Sequence, residues 1–343
     1  MRAAVYRRFG APDVVELAEI PTPTPGPTDL LIKVVASTVS AADHRARSRE
    51  VPTGLGLLAK VGLGFFRPRH RVLGMDAAGV VEAVGERVTR FNPGDEVIAM
   101  LGGAFGGHAE YALIGQDRAI AAKPAGMAFD EAVALVFGGI TARAYLNRVD
   151  IRPGARVLVN GASGAVGTAA VQLAAALGAQ VTAVCAARNA ELVTALGASR
   201  VIDYATEDFA ADPAGIATYD VIIDCVGNAS FDRVQRLIAP GGALLAIITD
   251  LDGILRAKSR TRRSGKLLSA SGVEYRADDL EYLVSLADSD RLRPVIDRSY
   301  DLAEIVAAHR FVDAGHKRGA VVLRIVGEPH RPSAAPEGKA EPD

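Results

Sequence analysis

The stretch ARVLVNGASGAVGTAAVQLAAALGAQVTAVCA, Ala155–Ala186, decides the fold. It opens with an apolar, β-branched run, RVLVN, that reads as a strand. It then passes through Gly161-Ala-Ser-Gly164-Ala-Val-Gly167. AVGTAAVQLAAALG follows as a helix that Gly178 ends, and QVTAVCA resumes as a strand. Strand, glycine-rich turn and helix in this order suit a dinucleotide pyrophosphate, because backbone N–H groups at a helix start face the anion. In the G-x-G-x-x-G pattern Ala162 takes the first glycine's place, with Gly161 beside it. A glycine triplet alone is a weak signal; its place between strand and helix makes it a strong one. The apolar run from Ala169 to Ala187 is broken by Gln172, Gly178 and Gln180, so it is read as helix and strand, not as a membrane span.

Working outward, NAELVTALG reads as a helix and RVIDY, YDVIIDCVG and GALLAIIT as strands, with a helix from about Ser230. Strands alternating with helices of this length imply βαβ units and a parallel sheet. The first 120 or so residues have a different rhythm. DLLIKVVAST, AGVVEAVGERV and NPGDEVIAM are short β-branched runs between Pro- and Gly-rich turns, which predicts a small antiparallel barrel. Beyond Leu251, DLEYLVSLADSDRL and LAEIVAAHRFVDAG read as helices and AVVLRIV as a last strand. Residues 327–343 are rich in Pro, Ala and Glu without apolar periodicity and are read as a disordered tail.

The chain has 343 residues, so two domains are expected. Lys and Arg number 39 against 40 Asp and Glu, leaving no global field for nucleic acid or an anionic membrane. The only cysteines, Cys185 and Cys225, end apolar strands, which favours buried thiols and a reducing compartment. Arg7 and Arg8 stand where a signal peptide needs an apolar core, and a cytoplasmic location is expected.

In NAD enzymes an acid about 20 residues after the phosphate turn binds the adenosine ribose. VCAARN, Val184–Asn189, occupies that place and has no acid. Arg188 would attract a 2′-phosphate, for which its planar fork is suited, and Asn189 adds a donor. The expected cofactor is therefore NADPH.

These features together resemble the medium-chain dehydrogenase/reductase superfamily. The residues that carry the resemblance are GMDAAGVVEAVGERVTRFNPGDEV (Gly74–Val97), GGHAEYALI (Gly106–Ile114), the GASGAVG turn, VIDY and HKRGAVVL (His316–Leu323). It implies an α/β fold: a GroES-like β-barrel catalytic domain, residues 1–122 and 266–326, and a Rossmann NADP-binding domain with a doubly wound parallel sheet, residues 123–265. Zinc-binding members carry ligands at positions that match Ser40, Met75 and Phe137 here. A thioether and a phenyl ring do not replace imidazole and thiolate on Zn²⁺, so no metal is expected.

The chain accordingly looks like the zinc-free quinone oxidoreductase branch, whose FxGxTA pattern matches Phe137, Gly139, Thr141 and Ala142. The resemblance implies that Thr141 approaches the nicotinamide and that Ser163, Gly164, Ala165 and Val166 line the pyrophosphate. Arg188 and Tyr204 would hold the 2′-phosphate, and Cys225, Val226 and Gly227 would pass the nicotinamide ribose. Ile248 and Thr249 would flank the carboxamide, and Arg318 would close from the last strand. The segment SAADHRA departs from the branch: Arg45 replaces a frequent Tyr. Ser40, Asp43 and His44 are left as candidates for the catalytic role.

Without a Lewis acid, acceptors that stabilise their own charge by conjugation fit best. The expected reaction is hydride transfer to quinones or α,β-unsaturated carbonyls. An enoyl reductase for CoA- or carrier-linked substrates is the alternative, and an NADPH-binding regulatory or RNA-binding protein is the one outside enzymes. GLGLLAKVGLGFF, Gly54–Phe66, is read as an apolar lid, with Phe65, Phe66 and Phe137 in the substrate pocket. RAKSRTRRSGK, Arg256–Lys266, holds six basic residues in eleven and is read as a solvated loop. The expected partner is a hydrophobic small-molecule acceptor, with no membrane and with nucleic acid disfavoured. A homodimer is expected, GALLAIIT supplying its edge strand.

Overall fold

The computed structural model describes residues 1–211, 218–270 and 272–325. The tail expected at 327–343 lies outside them. The N-terminal half begins with the hairpin of β1 (Arg2–Tyr6) and β2 (Val15–Glu19). β3 (Asp29–Thr38) follows, then the helices α1 (Ala41–Ser48) and α2 (Gly56–Leu63). β4 (Asp76–Val84), β5 (Glu96–Met100), β6 (Tyr111–Gly115) and β7 (Ile120–Ala122) come next, and α3 (Phe129–Leu146) leads out.

The half with the glycine-rich turn alternates as its sequence dictates. β8 (Arg156–Asn160), α4 (Ala165–Ala176), β9 (Gln180–Cys185), α5 (Ala190–Ala195) and β10 (Ala198–Asp203) are followed by β11 (Tyr219–Asp224). α6 (Phe231–Val234), β12 (Ile238–Ala246), α7 (Leu251–Ser264) and β13 (Leu267–Ser269) complete it. The chain then forms α8 (Ala277–Asp288), β14 (Ile296–Asp301), α9 (Ile305–Asp313) and β15 (Ala320–Arg324).

Six parallel strands make one sheet in the order β10-β9-β8-β11-β12-β13. The order reverses between β8 and β11, so a crevice opens at their carboxyl ends, where such sheets take ligands. The other large sheet runs β14-β15-β3-β4-β5-β7, with β6 also on β3. Its N-terminal strands pair antiparallel, and β15 returns antiparallel onto β3.

α3 ties the two sheets together. Its Val133, Val136 and Ile140 share one buried cluster with Val35, Ala78 and Ile98 on one side and Val157, Val159 and Ile223 on the other. That continuous core fixes the two sheets relative to each other, which a binding crevice between them requires.

Three expectations are corrected here. The parallel sheet continues through β13 to Ser269, past the expected return at 266, because three residues are too few to register as a strand in a sequence. β12, which contains GALLA, is flanked by β11 and β13, so it is not an edge strand. The basic stretch is most of α7, not a loop; Asp250 caps its start by accepting from Gly253 N at 2.8 Å, and Gly265 in the left-handed region ends it. α2, which lies in the stretch read as an apolar lid, has no buried residue.

Candidate active site

A cleft of about 810 Å³ lies over the carboxyl ends of β8 and β11. Its floor is the phosphate turn. Gly161 adopts φ +78 there, and a Cβ at Gly167 would stand 2.1 Å from Gly161 O, so no other residue fits at Gly167 without moving the turn. The turn delivers the chain into α4 with Gly164 as N-cap and no acid in the first turn. Its first N–H groups therefore face the cleft as an anion site.

Asp224, buried at the end of β11, holds the opposite wall. It accepts from Asn160 Nδ2 at 2.8 Å and from the backbone N–H of Val226, Gly227 and Ala229 at 2.9–3.0 Å. Asn160 also donates to Asn228 Oδ1 at 2.6 Å. A single carboxylate thus fixes the loop that carries Cys225 and Val226 along the cleft. Burial pushes the Cys225 thiol well up, with Asp224 adding to the effect, so it stays protonated.

At one end of the cleft stand Arg188, Asn189 and Tyr204. Asn189 Nδ2 donates to Ser163 Oγ at 3.0 Å, while its Oδ1 is buried without a partner. A buried acceptor with no donor is costly unless a ligand hydroxyl meets it. At the other end the wall is Ala41, Ala42, Met75, Phe137 and Tyr145, with Arg45 and the hydroxyls of Thr141 and Tyr275. Thr141 Oγ1 and Tyr275 Oη are 3.5 Å apart, too long for a strong bond, so each keeps capacity for a third oxygen. Burial raises Tyr275 above the usual phenol range, the Thr141 contact opposing it. The phenol is therefore a donor at neutral pH.

Thr141, Ser163, Gly164, Ala165, Val166, Arg188, Tyr204, Cys225, Val226, Ile248 and Phe137 all line this cleft. Gly227 and Thr249 line a neighbouring recess that shares Arg45, Val226 and Ile248 with it. Arg318 does not line the cleft; its side chain is exposed, and its backbone N–H is held by Asp297 Oδ2 at 2.6 Å. The residue that does line it is Lys317, one position earlier, whose Nζ donates to Gly319 O at 2.6 Å. Gly319 N in turn donates to Ser163 O at 2.8 Å, which docks the last strand on the phosphate turn. Burial lowers Lys317 to about 8, with Asp297 opposing.

Phe65 and Phe66 are also corrected: they are exposed, Phe66 by 94%, and neither lines the cleft. Their strong hydrophobicity misled, because apolar character alone does not say which way a glycine-rich stretch faces.

The candidates Ser40, Asp43 and His44 are corrected as well. Ser40 is the N-cap of α1, accepting from Asp43 N while its Oγ donates to Asp43 Oδ2 at 2.6 Å. Asp43 accepts in addition from Ser40 N and from Gly74 N, both at 2.8 Å. Both side chains are spent on a capping box and on tying α1 to β4's approach. His44 lies between Asp313 (2.7 Å) and Glu50 (3.1 Å), outside the cleft. The groups that sequence reasoning missed are Tyr275, Arg45 and Lys317. Arg45 carried a signal, since it broke the SAADHRA pattern; Tyr275 follows β13 in a stretch with no motif.

Comparison with known proteins follows the two halves. Residues 26–139 match the alcohol dehydrogenase GroES-like domain, and residues 196–323 match a family described as zinc-binding dehydrogenase. The quinone-oxidoreductase QR1, chloroplastic, of Triphysaria versicolor is 32% identical over 335 residues, which cover 94% of this chain and 98% of that protein. The NAD(P)H oxidoreductase RTN4IP1, mitochondrial, of Mus musculus is 29% identical over 88% of this chain and 82% of its own length. The structure of the quinone oxidoreductase from Coxiella burnetii superimposes with a TM-score of 0.82 at 28% identity, covering 95% of this chain and 99% of that one. The zinc in one family's description does not fit this chain. Met75 and Phe137 offer no ligand, Ser40 is spent on its helix, and among the described residues no group of three or more His, Cys, Asp or Glu could hold a metal ion.

Proposed function

The chain belongs to the medium-chain dehydrogenase/reductase superfamily and is an oxidoreductase; from its cleft we propose that it is a zinc-independent, NADPH-dependent reductase of quinones or α,β-unsaturated carbonyls. One observation carries this reading. A cationic end built by Arg188 and an apolar end with two unsaturated hydroxyl donors belong to the same cleft.

NADPH, when bound, supplies a hydride. Arg188 would hold its 2′-phosphate, with Tyr204 beside it, and the orphaned Asn189 Oδ1 would accept from a ribose hydroxyl. The first N–H groups of α4 and the Lys317 ammonium would face the pyrophosphate. At the apolar end Met75, Phe137 and Tyr145 exclude water from a flat, conjugated acceptor. Thr141 and Tyr275 donate to the acceptor oxygen as it becomes negative, and Arg45 adds positive charge. Tyr275, kept protonated by burial, is the group placed to hand a proton to that oxygen.

The test is NADPH oxidation by chelator-treated protein against 1,4-benzoquinone, 9,10-phenanthrenequinone, 2-alkenals, crotonyl-CoA and simple ketones, with NADH in parallel. Quinone or enone turnover that chelation leaves intact is expected. Turnover of crotonyl-CoA in preference to free enones moves the reading to an enoyl reductase for CoA-linked substrates. Tight NADPH binding with no turnover moves it to the regulatory alternative, and activity restored by zinc overturns it.

A further inference from the structure

Exposed apolar side chains are concentrated in one region of this molecule. Of the ten large hydrophobic residues exposed among the described residues, Leu57, Leu58, Val61, Phe65 and Phe66 belong to α2 and the turn after it, and Ile254 and Leu255 to α7. The two elements are neighbours: Leu251 N donates to Thr53 O at 3.1 Å, and the Leu251 side chain packs against Gly54. Exposed apolar residues scattered singly need no explanation, but seven on two neighbouring helices and the turn after one of them do.

The charge around them is as uneven. Residues 51–75 carry Lys60, Arg67, Arg69 and Arg71 and no acid. Residues 253–270 carry Arg256, Lys258, Arg260, Arg262, Arg263 and Lys266 and no acid. In a chain with 39 basic and 40 acidic residues, these two segments hold ten cations and no acid, with Asp252 at the start of α7 just outside them, and form a positive local field. Asp252 and Asp232 pair with Arg256 and Arg260. Among the described residues no ion pair engages Lys258, Arg262 or Arg263, and all three are exposed.

We propose that α2, the Phe65–Phe66 turn and α7 form a docking face for an anionic lipid bilayer surface. A short helix with Leu and Val outward and a Phe pair beyond it can enter the headgroup–acyl boundary. A basic helix beside it meets the negative surface. The apolar residues decide against a nucleic acid, which would be met by cations alone. Among the described residues no helix is long and apolar enough to cross a membrane; the proposed association is peripheral and reversible. This departs from the expectation that the chain has no membrane partner; that expectation rested on total charge, which hides the local asymmetry.

The face also borders the recess of about 620 Å³ that is lined by Pro52, Thr53, Asp252 and Arg260 and that meets the cleft at Val226. Apolar acceptors dissolved in a bilayer would thus lie close to the cleft. That consequence rests on the reductase reading; the docking itself does not, and its test needs no turnover.

The full chain is sedimented with phosphatidylcholine vesicles and with phosphatidylcholine–phosphatidylglycerol vesicles, at low and high salt. Binding to the anionic vesicles alone, reversed by salt, is expected. The double variants Phe65→Ser/Phe66→Ser and Arg262→Glu/Arg263→Glu should each lower the bound fraction about tenfold, with melting temperature and NADPH binding unchanged. Lys258→Glu, a single exposed change, guards against a double variant that fails to fold. No sedimentation with anionic vesicles overturns the proposal. So does a dimer that Phe65→Ser/Phe66→Ser dissolves, which would mean that a second copy covers the face. RNA binding that survives the Phe variant while vesicles are ignored overturns it too.

Discussion

At the scale of single residues, what was legible depended on whether a role is set locally. Arg188 follows its strand by three positions, and the turn, strand and cap that place it are contiguous in sequence. Exchanging it for glutamate sets a carboxylate against a 2′-phosphate. Arg188→Glu should lower the ratio of NADPH to NADH efficiency about 100-fold, read from kcat/KM with each cofactor. Tyr275 and Lys317 were not legible, because they reach the cleft only when the chain returns from the parallel sheet. Tyr275→Phe removes one hydroxyl from a site where burial keeps it protonated. It should lower kcat about 10²-fold and leave the KM for NADPH unchanged, since the ring that packs the cleft remains. A drop in cofactor affinity instead would make Tyr275 a packing group.

At the scale of elements, the βαβ rhythm was legible because each unit buries its own apolar face, while helix exposure was not. α2 and α7 have helical length, yet Leu57, Leu58, Val61, Ile254 and Leu255 face out, which only neighbouring elements could reveal. α3 is the element on which the cleft depends most. Its Gly138 lies against the start of α4: a Cβ there would stand 2.2 Å from Ala165 O. Ala165 is the first residue of the helix proposed to face the pyrophosphate. A Cβ at its neighbour Gly139 would stand 2.8 Å from Leu283 Cδ1, and a leucine can turn away where a backbone oxygen cannot. Gly138→Ala should therefore destabilise the fold by about 1–3 kcal/mol and weaken NADPH binding about tenfold. Gly139→Ala should cost less in stability and leave cofactor affinity near the wild-type value. Denaturant unfolding and cofactor titration of both variants check this; equal losses would show that α3 shifts as a rigid whole.

At the scale of the whole molecule, two sheets were foreseeable from two rhythms of hydrophobicity, but the ionisation of a buried carboxyl in one of them was not. Asp76, at the start of β4, is fully buried and accepts from Thr38 N at 2.7 Å, Thr38 Oγ1 at 2.6 Å and Ser37 Oγ at 3.2 Å. Burial nonetheless raises its carboxyl to about 7, the nearby Asp43 charge adding to that and the Thr38 and Ser37 bonds opposing it. A carboxyl that ionises near 4 when unfolded and near 7 when folded binds its proton more tightly in the folded state. The stability it contributes is full below the unfolded value and is lost as the pH rises through the folded one. Asp76→Asn removes that titration while keeping an acceptor for Thr38 N. The wild-type chain should therefore lose stability relative to Asp76→Asn between about pH 4 and pH 7, by a difference of order a few kcal/mol. Paired melting curves across that range read it directly, because titrating groups that do not interact with Asp76 cancel in the difference. A difference that does not change with pH would mean that the Thr38 and Ser37 hydrogen bonds outweigh burial and that Asp76 is ionised in the core at all these pH values.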